Sequence, residues 1–173
     1  MNTMTTTELF TRLGEPARLQ RLAEYDLHHP ALRTHLDDIA RDSAKRLQAP
    51  VSLVSVLLDS AQFIIGRHGL PDATAGIQGV PAEWALCTQT VLTGAPYSVS
   101  DGTTNPRHSG NPMLTLTGLR SYAGVPLIDE SGQVLGAHCV LDTVPRHFTE
   151  HDIASLTEGA AEALRVLGLY HDA

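Results

Sequence analysis

Apolar residues return along this chain with two different periods, and the switches between them mark its elements. From Pro30 to Gln48 the residues Leu32, Leu36, Ile39, Ala40 and Leu47 recur at helical spacing, with Asp37, Arg41 and Lys45 on the solvated face. A shorter helix is predicted over Glu15–Tyr25, with Pro16 at an early position and Leu19, Leu22 and Ala23 on one side. Pro50 ends the long helix. VSLVSVLLD (51–59) is β-branched and apolar on both faces, which predicts a central strand covered on both sides. QFIIGRHG (62–69) follows after a short turn as its hairpin partner. Residues 69–81, rich in Gly and Pro, read as a loop and a common place for a binding edge. Pro81 opens a short helix that ends at Gly94, with Trp84, Cys87 or Thr88, and Val91 or Leu92 on one side. PYSVSD (96–101) is a strand, 102–112 is turn-rich, and 113–117 is a short helix. Two more strands, 120–128 and 133–141, flank the turn DESG. Thr149 and Asp152 form a capping-box pattern ahead of a last helix striped by Ile153, Leu156, Ala160, Leu164 and Leu167. The Thr-rich residues 1–14 are expected to be loose.

The resulting order, α-α-β-β-α-β-(loop/α)-β-β-α, joins neighbouring strands by short turns and so predicts antiparallel pairing. The fold class is α+β: helices before and after the strands pack on one face, and a segment crossing the other face encloses a space. In the last strand, alternation puts Leu135, Ala137, Cys139 and Leu141 on one face and Gly136, His138 and Val140 on the other. If Ile128 and Gln133 flank the turn, Tyr122 stands opposite Cys139, and Ala123 stands opposite His138 and leaves room for its ring.

Composition narrows the function classes. A chain of 173 residues with 42% apolar and 18% charged residues is one globular domain with trimmings. The net charge of −7 and scattered Lys and Arg argue against nucleic acid. No segment reaches the ~18 consecutive apolar residues of a membrane helix, and the N-terminus has no signal-peptide pattern, so a cytoplasmic location is expected. Cys87 and Cys139 offer no disulfide framework. The nine histidines are dispersed, and no HExxH or CxxC metal motif occurs.

Several motifs occur in a recognisable order. Cys87 lies in a helix, a strand ends in Asp101, and the loop carries Asn105-Pro106-Arg107-His108 with Asn111-Pro112. Then come Arg120-Ser121-Tyr122-Ala123-Gly124-Val125-Pro126-Leu127, Gly132, Gly136, Cys139, Asp142, Pro145-Arg146 and Thr149. This series resembles a GAF domain of the bacterial sensor type over about residues 30–168. The resemblance implies an antiparallel sheet of five or six strands, terminal helices on one face, and a pocket-roofing loop and helix layer on the other. It also implies an N-terminal extension over 1–29 with a short helix and the GAF domain over 30–173. No kinase, cyclase or phosphatase segment follows, so a stand-alone module is expected. Three positions depart from the pattern: Ser121 for a larger residue, His108 for Phe, and His138 for an apolar residue. The cyclic-nucleotide NKFDE signature and the Cys-His pair of bilin attachment are not recognisable, so both ligands are disfavoured. Haem is a poor fit, because one histidine is no haem motif. The cofactor is therefore left unknown.

The candidate ligand-binding residues are Trp84, Cys87, Asp101, Arg107, Tyr122 and His138, with none assigned as a catalytic residue or a metal ligand. His138 reads either as a pocket histidine or as a core histidine bonded to a backbone group. The second is favoured because buried polar groups are paired. Asp101 and Asp142 are expected to accept backbone N–H bonds, and Arg107 and Arg120 to pair with carboxylates or with an anionic ligand. Trp84 and Tyr122 could wall a pocket or simply pack. Cys87 and Cys139 are either buried hydrophobes or, if their Cα atoms come within about 7 Å, a redox pair. The expected function is a non-enzymatic sensory or regulatory module that binds an unknown small molecule and signals by helix packing or dimer rearrangement. The expected homodimer surface is the stripe of the last helix together with helix 30–48, extended by 15–25, and a separate output protein is a further possible partner. One alternative is a cysteine-dependent redox enzyme or redox sensor on the same fold, similar to the free methionine-R-sulfoxide reductases. Another is a ligand-free interaction or dimerisation module.

Overall fold

Val51–Leu57 (β1) is buried at every position, as a β-branched strand apolar on both faces requires. The computed structural model describes residues 4–70 and 78–172. β1 pairs with Ala61–His68 (β2) on one side and Val134–Asp142 (β6) on the other. Gly79–Pro81 (β3) extends the sheet beyond β2, while Ser121–Ile128 (β5) and Tyr97–Val99 (β4) extend it beyond β6. The order is β3-β2-β1-β6-β5-β4, antiparallel throughout. β3 falls inside the stretch read as loop; residues 71–77 of that loop lie outside the described residues.

The β5–β6 register differs from the expected one by two positions. Tyr122 faces Leu141, Ala123 faces Val140, Gly124 faces Cys139, and Val125 faces His138. The turn is longer than DESG alone: Asp129 N–H donates to the Gln133 carbonyl at 3.1 Å, so Ile128 pairs with Val134. A bulge at Leu127/Ile128 shifts the ladder by one more. Because the total shift is even, each side chain keeps its face.

On one face lie Pro30–Leu47 (α3) and Glu150–Gly168 (α6). Their apolar stripes, including Leu32, Leu36, Leu156 and Ala163, form one core with Val54, Val56, Val125 and Val140. Burying each large side chain there is worth roughly 1.5–3 kcal/mol. The stripes expected at a dimer surface are thus spent inside the chain's own core. The outward faces carry Asp38, Arg41, Glu158, Glu162 and Arg165. None of the described helices is long and apolar enough to cross a membrane.

The opposite face is roofed by a 3-10 turn, Ala82–Trp84, by Cys87–Thr93 (α4) and by Pro112–Thr117 (α5). The single helix expected from Pro81 to Gly94 is broken at Ala85, whose backbone is extended (φ −83°, ψ 124°). Thr88 Oγ1 donates to the Ala82 carbonyl at 2.6 Å and bridges the break.

The N-terminal segment is ordered into two helices, not one. Thr6–Leu13 (α1) has a complete capping box between Thr5 and Glu8, and Pro16–Ala23 (α2) follows after Gly14 and Glu15. Leu9 and Leu13 join the roof-side core, whereas Leu22 joins the core beneath α3 and α6. The segment therefore straps both layers. At the crossing, the buried Arg18 guanidinium donates to the carbonyls of Leu13 and Leu57, each at 2.6 Å.

Candidate functional site

The cavity under the roof is built from three sources. Leu53 of β1 and Ile64 of β2 supply its floor, as inward positions of alternating strands. Trp84, Ala85 and Cys87 come from the 3-10 turn and the first turn of α4. Met113 and Leu114 of α5, with Leu119, close the far side. The cavity measures about 50 Å³. That holds a few water-sized molecules and is far below the ~300–1,000 Å³ of a drug-sized site.

Its wall is largely apolar, with Gln62 and Thr117 in the lining beside one connected group. Cys87 Sγ lies 3.7 Å from Cys139 Sγ, and both residues are buried. The Tyr122 hydroxyl reaches Cys87 Sγ at 3.3 Å and Thr90 Oγ1 at 2.8 Å. Tyr122 donates to the sulfur, which leaves its oxygen to accept from Thr90. Nearby, Gln62 Nε2 donates to Ser55 Oγ at 2.8 Å. Tyr122 lies flat along the sheet only because position 124 is glycine: a Cβ there would stand 2.0 Å from the Tyr122 hydroxyl. The hydrogen bond it shares with Cys139, followed by those with Tyr122, Ser55 and Gln62, draws the Cys87 thiol below its ordinary pKa against the opposing effect of burial. Burial and the neighbouring Cys87 push Cys139 well above its own. Burial likewise holds Tyr122 protonated.

Of the expected residues, Trp84, Cys87 and Tyr122 line the cavity. His138 does not. It stands on the helix side of the sheet, opposite Val54 and Val125, and has no exposure to solvent. Its Nδ1 is 3.0 Å from the Leu53 carbonyl, which can only accept, so Nδ1 carries the proton. Nε2 then accepts from Ser43 Oγ of α3 at 2.7 Å. Room for the ring comes not from a small cross-strand partner but from Gly159 of α6, where a Cβ would lie 2.7 Å from Nε2. Burial lowers the His138 pKa to about 4, so the ring is neutral. Its chain neighbour, Cys139, faces the cavity.

Asp101 and Arg107 also lie outside the cavity wall. Asp101 accepts from Arg120 Nη2 at 2.6 Å and from Thr103 N–H and Oγ1 at 3.0 and 2.6 Å. Arg120, then Thr103, lowers its pKa to about 2. This is a clamp between the end of β4 and the start of β5. Asp142 similarly accepts the Thr143 N–H at 2.7 Å. Arg107 is exposed and donates to Gln89 Oε1 at 2.7 Å. His108 is buried against Tyr97, whose hydroxyl lies 2.6 Å from Nε2. Among the described residues no group of three or more His, Cys, Asp or Glu is placed to hold a metal ion. Gln62, Ser55 and Thr90 were not singled out from sequence. Gln62 shares the inward parity of Ile64, and Thr90 follows Cys87 by three on one helix face, so periodicity could have placed both.

The profile of the GAF domain family matches residues 31–166. The chain belongs to the GAF domain family. Its fold agrees: the GAF domain of an Acinetobacter phosphoenolpyruvate-protein phosphotransferase superposes with a TM-score of 0.66 at 16% identity, covering 98% of this chain and 96% of that one. A type II free methionine-R-sulfoxide reductase from Thermoplasma acidophilum superposes at 0.65 and 15% identity, covering 82% and 95%. At such identities the likeness is one of fold alone. A cyclic di-GMP phosphodiesterase of Pseudomonas aeruginosa is 31% identical over 122 residues, 69% of this chain. The match spans 20% of that relative's length. The strap α1–α2 precedes the matched region.

Proposed function

We propose that this GAF domain is a non-enzymatic sensory module that binds a small, largely apolar molecule between the sheet and the roof formed by α4 and α5. The observation that carries the reading is the largely apolar, partly open cavity of about 50 Å³ between the sheet and the roof. A guest larger than a few waters seats fully between sheet and roof only if the roof moves, so the two roof arrangements bind it with different affinity. That difference is the condition for a ligand to shift a conformational equilibrium.

The strap supplies a route outward. Arg12 of α1 donates to the Leu92 carbonyl of α4 at 3.0 Å, and α2 continues from α1 into the helix layer. A displaced α4 would thus pull on α2 and change its packing against β6. The proposed readers of that change are a second copy of this chain or a separate output protein.

The test is mass analysis of freshly purified, denatured protein with an absorbance scan, followed by thermal melts with small apolar compounds. A copurifying molecule, or a melt raised in the natural chain and not in the cavity-filling variant Ala85→Trp, supports the reading. If nothing copurifies and no compound raises the melt, the reading fails.

A further inference from the structure

The two cysteines are the only thiols of the chain. They arrive from distant segments, α4 and β6, yet their sulfurs lie 3.7 Å apart in the wall of one cavity. A disulfide requires about 2.05 Å, so the gap to be closed is under ~2 Å. The hydrogen-bonded series Thr90, Tyr122, Cys87 singles out one of the two sulfurs as the nucleophile. The cavity also selects the reagent. At about 50 Å³ it has no room for a methionine sulfoxide or a tripeptide thiol, and its apolar lining disfavours ions.

We propose that Cys87 and Cys139 form a reversible intramolecular disulfide when a neutral, water-sized hydroperoxide such as hydrogen peroxide enters this cavity. The inference rests on the reading of the cavity as open to a small guest. Cys87 sulfur attacks one peroxide oxygen; the S–O bond forms and the O–O bond breaks. The proton given up by Cys87 neutralises the departing hydroxide as water, and Cys87 is left as a sulfenic acid. Cys139 sulfur then attacks Cys87 sulfur; the S–S bond forms, the S–O bond breaks, and the Cys139 proton leaves with the hydroxide as a second water. Two thiols are oxidised, one peroxide is reduced to two waters, and a dithiol such as dithiothreitol reverses the change. The lowered pKa of Cys87 and the raised pKa of Cys139 agree with these roles.

The experiment treats the full, reduced chain with hydrogen peroxide, then denatures it, alkylates it with iodoacetamide and weighs it. The expected product has lost two hydrogens and both alkylation sites, runs as a single chain on a non-reducing gel, and regains both sites with dithiothreitol. In Cys139→Ala, dimedone added as the chain is denatured should label Cys87; in Cys87→Ala, Cys139 should stay unlabelled. Two thiols still alkylatable, bonds only between chains, or dimedone on Cys139 would overturn the proposal, and the wild-type result needs no variant to fold. Melts of the reduced wild-type chain with benzene test the parent reading separately. Stabilisation by benzene without peroxide oxidation sinks the disulfide alone, and the converse sinks the apolar-ligand reading alone.

Discussion

Ser43 Oγ and His138 Nε2 meet at 2.7 Å directly beneath Gly159, so one hydrogen bond ties α3 to the central strand under the crossing of α6. Three elements therefore share a single point with no spare volume.

Gly159→Ala tests that point against intuition. In a helix interior this exchange ordinarily stabilises by about 1 kcal/mol. Here the new Cβ would lie 2.7 Å from His138 Nε2 and 2.9 Å from Ser43 Oγ. The expected outcome is destabilisation by about 1–3 kcal/mol, read as a lower urea midpoint with an unchanged slope. A midpoint that rises would show that the contact has slack.

Stability should fall as the solution is acidified below neutrality. His138 titrates at about 4 in the fold against 6.5 when free, and His108, desolvated and beside Arg107, also at about 4. Between those values the unfolded chain binds more protons, so stability is full above about pH 6.5 and is lost as pH falls towards 4. The fully buried His138 alone is worth on the order of 2–3 kcal/mol. Asp101 and Asp129, both held at about 2, add a separate loss only at lower pH, as it falls through that value. Urea titrations from neutral pH to about pH 4.5 should show a smaller drop in His138→Gln. An equal drop would assign the effect elsewhere.

Much of this arrangement was legible beforehand, and the exceptions have physical causes. Alternation in β6 assigned Cys139 and His138 to opposite faces, so they could not both line one space. Which face carried the roof depended on where 81–117 crosses, and periodicity within one strand does not encode that. The register of β5 on β6 was missed because a longer turn and a bulge each consume a position without any sequence mark. β3 was missed because the three residues Gly79, Val80 and Pro81 are too few to carry a period. α1 did have a signal: Thr5 and Glu8 have capping-box spacing, and Leu9 and Leu13 lie four apart, but the Thr run masked it.

Tyr122→Phe should isolate the hydroxyl that donates to Cys87. The ring remains over Gly124, so packing is kept, and one buried hydrogen bond costs about 1 kcal/mol. Without that donor the Cys87 thiol should titrate higher, and its rate of alkylation by a small neutral reagent should need higher pH. An unmoved profile would mean that Tyr122 has no hold on the sulfur.

Arg18→Met should loosen the strap. It removes hydrogen bonds from a buried guanidinium to the Leu13 and Leu57 carbonyls. A loss of about 2–4 kcal/mol is expected, with protease cleavage between α1 and β1 before the rest of the chain. Simultaneous cleavage throughout would show that the strap unfolds only with the whole.

Cys139 and His138 are neighbours in sequence, one in the chamber wall and the other wedged among the helices. The partition between the two compartments is a single peptide thick at that place. Tilting this strand by a fraction of an ångström would therefore register on both sides at once, and a message could pass through the domain without any chain of intermediate side chains.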